Sequence, residues 1–318
     1  MYSSMIYLLS SFLFYIMLIL LMMIGMAFLT LFERKLLGYI QDRKGPNKVG
    51  FFGLLQPFSD AIKLLNKEFF YIDKINLYIY LYGAIFILFL SLSVWYIYPF
   101  ISNGESNQKF SFLYLMSLFS LGVYPLMMGG WASNSTYSML GAIRSIAQAV
   151  SYEVSLFLMM FVLIMLIESY SLTEVMKFQV YFKFILIVLP FYMLFLVSLL
   201  IELNRTPFDL VEGESELVSG FNTEYFSSMF TLIFMAEYLS IVFMSFFITF
   251  LYLGFNICGF IFMMIWLFHM LVILWIRGVL PRIRYDDLMY LCWKKILSCV
   301  LIYMFFIYGV KLFIQMYI

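Results

Sequence analysis

The chain has 318 residues, of which 65% are hydrophobic and 12% are charged, and its mean hydropathy is +1.00. This composition leaves too few polar side chains to cover a globular surface, so it indicates an integral membrane protein. The formal net charge of +1 gives no reason to expect nucleic acid as a partner. The cysteines form no C-x-x-C pair and no glycines have nucleotide-loop spacing, so neither an iron–sulfur, a zinc nor a nucleotide site is recognisable.

Apolar segments recur from one end of the chain to the other. Each has roughly 20 residues or more, enough to cross a hydrocarbon layer of about 30 Å as a helix, and no stretch remains for a soluble domain. They predict an all-α polytopic membrane protein with about eight transmembrane helices in a single membrane domain, residues 1–318. The predicted spans are residues 7–31, 77–100, 110–129, 141–167, 180–201, 226–252, 257–276 and 296–316.

The basic residues are distributed unevenly between the connections. All of the 19 except Lys109, Lys177, Lys183 and Lys311 fall in or beside the first, third, fifth and seventh connections. The positive-inside rule therefore places these connections on the inner face and both termini on the outer face. The inner-face loops comprise about residues 33–76, 130–140, 202–225 and 277–295.

The first of these loops contains an amphipathic segment too short to span the membrane. It begins at Pro57, a favoured first helical residue, and Phe58, Ile62 and Leu65 then recur at helical spacing. We predict a short surface helix with its apolar face towards the bilayer, at the depth where a lipid-soluble substrate could move between bilayer and protein. A passive interfacial anchor would produce the same pattern.

Carboxylates are concentrated in the fifth connection. Six of the 18 acidic residues lie between Glu202 and Glu224, and Glu153 and Glu237 lie within apolar segments, where an ionised group costs several kcal/mol unless paired or hydrated. Acids from three spans that face one interior would raise one another's pKa, as a proton relay requires. Structural glutamates satisfied by neighbouring hydroxyl or backbone groups remain the alternative for each residue taken singly.

The middle of the same connection carries Glu212, Glu214 and Glu216 at every second position, and Gly213 between them disfavours a stiff helix. A solvated acidic loop would have this composition, but the flanking residues are unusually apolar. We therefore expect the loop to pack against protein. The single histidine, His269, has no second ligand at metal spacing, which favours a hydrogen-bonded core histidine and no metal site.

Several long motifs resemble one known family, the quinone-proximal membrane subunits of respiratory complex I (NADH–ubiquinone oxidoreductase chain 1). The resemblance covers nearly the whole chain, and the motifs occur in the family's order. They are residues 33–47, 53–57, 130–135, 151–153, 202–225 and 275–286.

This resemblance implies an eight-span subunit that forms much of the ubiquinone entry tunnel and links quinone reduction to proton translocation. Ubiquinone would be the substrate, whereas FMN, iron–sulfur clusters and NADH would belong to partner subunits of the hydrophilic arm; neighbouring membrane subunits and lipids would be further partners. Positions matching the quinone passage are Arg34, Gln41, Asp60, Ala61, Lys63 and Phe234. Positions matching the acidic proton route are Glu153, Glu202, Asp209, Glu212, Glu214, Glu216 and Glu237.

The bias towards Phe, Tyr, Ile and Met fits an AT-rich organellar gene, and the sequence shows no Arg-rich amphipathic leader. We therefore expect a mitochondrially encoded protein of the inner membrane, with the odd-numbered loops in the matrix and both termini on the intermembrane side.

Three other functions are compatible with parts of the pattern. A stand-alone proton or cation transporter would also use buried carboxylates, although the two halves show no obvious inverted repeat. A purely structural membrane anchor for the hydrophilic arm would not need the acids to titrate. The equivalent subunit of a membrane-bound hydrogenase shares many of the acids, but the organellar composition argues against it.

Overall fold

A computed structural model describes residues 2–68, 74–98, 108–210, 220–255, 257 and 259–317. Within these ranges the chain is helical and contains no β-strand. The helices are α1 Tyr2–Ile40, α2 Gln56–Leu65, α3 Leu77–Ser93, α4 Ser111–Leu121, α5 Val123–Ala132, α6 Thr136–Ile167, α7 Leu172–Tyr181, α8 Phe184–Ile187, α9 Leu189–Glu202, α10 Ser227–Leu253, α11 Phe260–Val279, α12 Tyr285–Tyr290 and α13 Leu297–Tyr317.

Seven helical segments are long and apolar enough to cross a membrane, and α9 is a shorter apolar helix. In this count α4 and α5 together form one segment, and α12 joins α13 through a π-helical turn over Leu291–Ile296. Large exposed apolar side chains cover the outward faces of α1 and α13, as expected where helices meet lipid. The predicted all-α polytopic membrane fold is confirmed.

The fifth predicted span, residues 180–201, differs from a continuous helix. The short helix α8 ends at Ile187, and α9 begins at Leu189 with Pro190 in its first turn. Proline lacks an N–H and clashes with the preceding turn, so it is tolerated at a helix start but interrupts a continuous helix. The 14 residues of α9 extend only about 21 Å at 1.5 Å per residue.

The first helix is longer than the sequence predicts. It continues through Glu33 and Arg34 to Ile40, so these charged residues lie on a helix and not in the first loop. Glu33 is buried and forms an ion pair with Arg277 near the end of α11. Pairing offsets the cost of burying the carboxylate, which allows the helix to continue beyond the apolar segment.

The helices α6 and α10 lie at the centre of the bundle. Helix α10 packs against α1, α3 and α11, whereas α6 packs against α5, α9 and α13. Aromatic side chains fill much of the core: the rings of Trp95 and Phe243 meet edge to face, with centroids 5.4 Å apart. Such contacts stabilise the core beyond the area they bury.

The surface helix occurs where the sequence predicts it. Helix α2 starts at Gln56 with Pro57 in its first turn, and Phe58, Ile62 and Leu65 are exposed along it. It packs against α1 and α10. An exposed apolar face on a 10-residue helix is typical of a segment that lies in the membrane interface.

Replacing Gly130 with alanine is expected to loosen the contact between α5 and α6. A Cβ atom at this position would overlap the Ala142 Cβ on α6, and overpacking of this kind costs about 1–3 kcal/mol. We expect faster thermal inactivation of the assembled protein. Gly25→Ala is the matched control because a Cβ there meets no atom within 4 Å, and equal inactivation rates for the two variants would contradict the close contact.

Candidate functional site

A cavity of about 180 Å³ begins at one end of the bundle, beside the last turn of α9, and reaches Val94, just beyond the end of α3. Its lining brings together three of the predicted acids, Glu202, Asp209 and Glu237. Two arginines, Arg205 and Arg277, line it as well. The volume is large enough for several water molecules, so the cavity can hydrate these charges inside an otherwise apolar bundle.

The acid at the end of α9 has a carboxylate neighbour. Glu202 is the last residue of the helix, and its charge interacts with that of Glu153 on α6. Glu153 does not line the cavity. Its sequence neighbours are engaged elsewhere: the Ser151 hydroxyl donates to the Gln148 carbonyl, and the Tyr152 hydroxyl donates to the Leu288 carbonyl at 3.1 Å.

A largely buried arginine, whose side chain is 12% exposed, accompanies Glu237. The Arg205 Nη2 atom lies 3.8 Å from the Glu237 Oε2 atom, and the guanidinium lies 4.7 Å from the centre of the Tyr238 ring. Burial acts to lower the pKa of Arg205, but the nearby Glu237 carboxylate and Tyr238 raise it by more, so the pKa is raised overall. The guanidinium is therefore held as a permanent positive charge beside the Glu237 carboxylate.

The turn that follows α9 is tied to other elements at both of its ends. The Arg282 Nη2 atom donates to the Asp209 Oδ2 atom at 3.2 Å, and the Ile283 amide donates to the Pro207 carbonyl at 3.0 Å. The Gln148 Nε2 atom, on α6, donates to the carbonyls of Ile201 and Phe208, both at 3.1 Å. These bonds fix the positions of Glu202 and Asp209 relative to α6.

A second ion pair connects the cavity to α1. Arg277, which lines the cavity, donates to the Glu33 carboxylate. Arg34, the next residue of α1, forms an ion pair with Asp60 of α2 at 2.5 Å. Ion pairs at adjacent positions of α1 therefore reach the surface helix through Arg34 and the cavity through Glu33.

The sequence reasoning assigned no role to Glu33 or to Gln148. For Gln148, the available signal was an amide in a mostly apolar span, five positions before Glu153. For Glu33, it was a carboxylate directly after the apolar run of the first span, within a motif already singled out. The sequence around Glu33 or Gln148 does not identify the residues that they contact, because those residues are distant in the chain.

The residues predicted for the quinone passage are only partly brought together. Asp60 joins Arg34 and also accepts from the Gln56 Nε2 atom at 2.9 Å. Gln41, just beyond α1, accepts from the Arg43 Nε atom at 2.9 Å and is exposed. The other three predicted residues lie on two helices: Ala61 and Lys63 are exposed on α2, and Phe234 is on α10 with its ring 4.3 Å from that of Phe230.

The middle of the acidic connection, residues 211–219, lies outside the described residues, and with it Glu212, Glu214 and Glu216. On its two sides Phe208 and Phe221 are buried. The packing of this loop against protein stays a prediction.

The single histidine is buried in α11 and hydrogen-bonded on both ring nitrogens. Its Nε2 atom lies 2.8 Å from the Tyr192 hydroxyl oxygen, and its Nδ1 atom lies 2.9 Å from the Ile265 carbonyl oxygen. Among the described residues, no group of three or more potential ligands could hold a metal ion. These contacts are those of a core histidine.

The fold and the site define a polytopic α-helical membrane protein that carries carboxylates and arginines into a cavity within its helix bundle. The family model for NADH dehydrogenase matches residues 13–308. NADH-ubiquinone oxidoreductase chain 1 of Apis mellifera ligustica is 49% identical over 297 residues, which cover 93% of this chain and 96% of that protein. The Aedes aegypti protein of the same name is 50% identical over 299 residues, covering 94% and 95%.

A less similar relative covers the chain to the same extent. NADH-ubiquinone oxidoreductase chain 1 of Rhipicephalus sanguineus is 42% identical over 308 residues, which cover 97% of each chain. This chain therefore belongs to the NADH-ubiquinone oxidoreductase chain 1 family.

Proposed function

We propose that this chain is a core membrane subunit of a proton-translocating NADH:ubiquinone oxidoreductase. It forms part of the ubiquinone passage and couples quinone reduction to proton movement. The observation that carries this proposal is a set of two ion pairs at adjacent positions of α1. Arg34 pairs with Asp60 on the surface helix, and Glu33 pairs with Arg277, which lines the cavity. A change of charge at the surface helix would change the electrostatic potential at the carboxylates that line the cavity.

The ubiquinone passage lies beside the surface helix in this proposal. The exposed apolar residues of α2 rest at the bilayer interface, where a lipid-soluble quinone enters. A pocket of about 440 Å³ lies at the same place, between the end of α2 and the start of α10, and includes Leu64, Tyr225 and Phe230 in its lining. Residues assigned to the passage are Arg34, Gln41, Asp60, Ala61, Lys63 and Phe234.

The acidic residues form the proton route in this proposal. Glu202, Asp209 and Glu237 share one cavity that is large enough for water, and the charge of Glu153 interacts with that of Glu202. A proton gained by one carboxylate therefore changes the proton affinity of the next. We assign Glu212, Glu214 and Glu216, from the connection beyond Asp209, to the same route.

The remaining parts of the reaction belong to other subunits. Ubiquinone is the substrate of this chain, whereas NADH, FMN and the iron–sulfur clusters are held by partners in the hydrophilic arm. The chain forms a single membrane domain in the mitochondrial inner membrane and contacts neighbouring membrane subunits and lipids. The basic, odd-numbered connections, with the cavity end of the bundle, face the matrix, and both termini face the intermembrane space.

Arg34→Ala is expected to raise the apparent Michaelis constant for ubiquinone in the assembled complex, with little effect on assembly. The substitution removes the guanidinium that holds Asp60 at 2.5 Å and leaves that carboxylate at the proposed passage without this partner. Because both side chains are partly exposed, their pairing contributes at most about 1 kcal/mol to stability. The measurement is steady-state quinone reduction over a range of ubiquinone concentrations.

Lys48→Ala is the control for this substitution, since it removes an exposed positive charge from the loop that follows α1. An assembled Arg34→Ala complex with unchanged apparent quinone affinity would count against the proposed passage. Failure of the variant to assemble would instead assign Arg34 a structural role.

A further inference from the structure

The start of the last membrane segment carries two adjacent lysines without acidic partners. Lys294 and Lys295 lie in the π-helical turn between α12 and α13, and both are exposed. No ion pair joins either ammonium group to a carboxylate among the described residues. By contrast, the nearby Arg282 and Arg284 pair with Asp209 and Asp286.

Both ammonium groups approach the same aromatic ring. The Nζ atoms of Lys294 and Lys295 lie 4.6 Å and 5.9 Å from the centre of the Tyr290 ring. The ring attracts each cation but cannot neutralise it, so the two positive charges repel each other. An anion bound between them would relieve this repulsion.

The backbone beneath the lysines is held in its unusual conformation. The Ser298 hydroxyl lies 2.6 Å from the Lys294 carbonyl oxygen and 3.0 Å from that of Lys295. These contacts satisfy two carbonyls of the π-helical turn. Single π-helical turns occur frequently at functional sites, and this one presents the lysines at the end of a membrane-spanning helix.

An exposed apolar stripe runs along the helix from the lysines. Cys299, Ile302 and Phe306 follow Lys295 at intervals of three or four residues, so all four lie on one face. Ile302 is 72% exposed and Phe306 is 61% exposed. The 11 positions from Lys295 to Phe306 rise about 16 Å, close to the thickness of one leaflet.

We propose that this surface binds one anionic phospholipid. The phosphate of the headgroup lies between Lys294 and Lys295, and an acyl chain lies along the stripe that ends at Phe306. Trp293, which is 52% exposed beside the lysines, is placed as tryptophan commonly is at the membrane interface. A lipid supplies the negative charge and the apolar chain in one molecule, whereas a partner subunit would need an acid at the matching height on an apolar surface.

The test uses the intact membrane assembly that contains this chain, reconstituted in phosphatidylcholine vesicles with a trace of photoactivatable phosphatidylglycerol. After illumination, labelled peptides are identified by mass spectrometry, and competition by unlabelled phosphatidylglycerol gives an apparent affinity. We expect labelling within residues 293–306, and much less with photoactivatable phosphatidylcholine. Lys294→Gln/Lys295→Gln should lower the apparent affinity about 30-fold, since each basic residue near the surface contributes about 1 kcal/mol.

Two further variants separate the site from general surface charge. Lys294→Arg/Lys295→Arg keeps both charges and should retain labelling. Lys44→Gln/Lys48→Gln removes two exposed charges of the first loop and should leave labelling of this peptide unchanged. Equal loss in the two glutamine variants, or equal labelling by the zwitterionic probe, would overturn the proposal.

Discussion

Replacing Glu202 with glutamine is expected to lower proton-coupled quinone reduction by about 100-fold or more, the lower end of what loss of a proton-transfer group costs. Glutamine has nearly the same volume as glutamate, so the packing at the end of α9 is preserved. It cannot take up or release a proton, and it removes the charge that interacts with Glu153. The measurement is ubiquinone reduction together with proton uptake in vesicles that contain the assembled complex.

Glu224→Gln is the matched control, because Glu224 belongs to the same connection but does not line the cavity. It should retain activity. Glu202→Asp keeps a titratable group and should retain more activity than Glu202→Gln. Wild-type pumping by the assembled Glu202→Gln complex would exclude a proton role for this residue and favour the structural-anchor function.

Replacing Arg205 with leucine is expected to destabilise the cavity end of the bundle by about 3 kcal/mol, the lower end of the cost of breaking a buried ion pair. The substitution removes the cation beside Glu237 and its contact with the Tyr238 ring. We use the lower end of this energy range because the Glu237 side chain is 29% exposed, so water in the cavity can partly solvate it. The measurement is the rate of thermal inactivation of the assembled complex.

The double variant Arg205→Leu/Glu237→Leu should recover part of the lost stability, because it also removes the carboxylate that the single variant deprives of the Arg205 cation. It should not recover proton translocation, because Glu237 is assigned to the proton route. Arg284→Leu is the control: its pair with Asp286 is exposed on both sides, so inactivation should stay close to wild type. Equal stability of the single and double variants would show that the pairing of Arg205 with Glu237 is unimportant.

The membrane class and the surface helix could be predicted from the sequence because both depend on local properties. A run of apolar residues is sufficient to place a helix in lipid, where every backbone polar group must be satisfied within the segment. The start of α2 follows from Pro57 and from the spacing of the next apolar residues. The break before α9 follows similarly from Pro190, although overall hydrophobicity alone predicts a continuous span there.

The end of α1 could not be predicted in this way. The residues from Glu33 to Ile40 are helical, but charge at Glu33 and Arg34 marks the end of an apolar segment. The buried Glu33 forms its ion pair with Arg277, 244 positions away in the chain. The residues next to Glu33 in the sequence do not indicate such a distant partner.

In the candidate site, too, some features follow from local sequence and others depend on residues distant in the chain. Its acids were identifiable from the sequence, because an ionisable residue in or beside an apolar segment is costly wherever the helix lies. Only the tertiary structure decided that Glu202, Asp209 and Glu237 share a cavity while Glu153 lies outside its lining. Two further contacts likewise depend on which helices are neighbours: the amide of Gln148 that fixes the turn after α9, and the ion pair of Glu33 with its arginine.

The sequence by itself determined how each segment meets lipid, since that depends on composition over one helix length. The packing of α1, α6, α9, α10 and α11 decided the polar contacts, since a hydrogen bond or an ion pair requires two groups within a few ångströms.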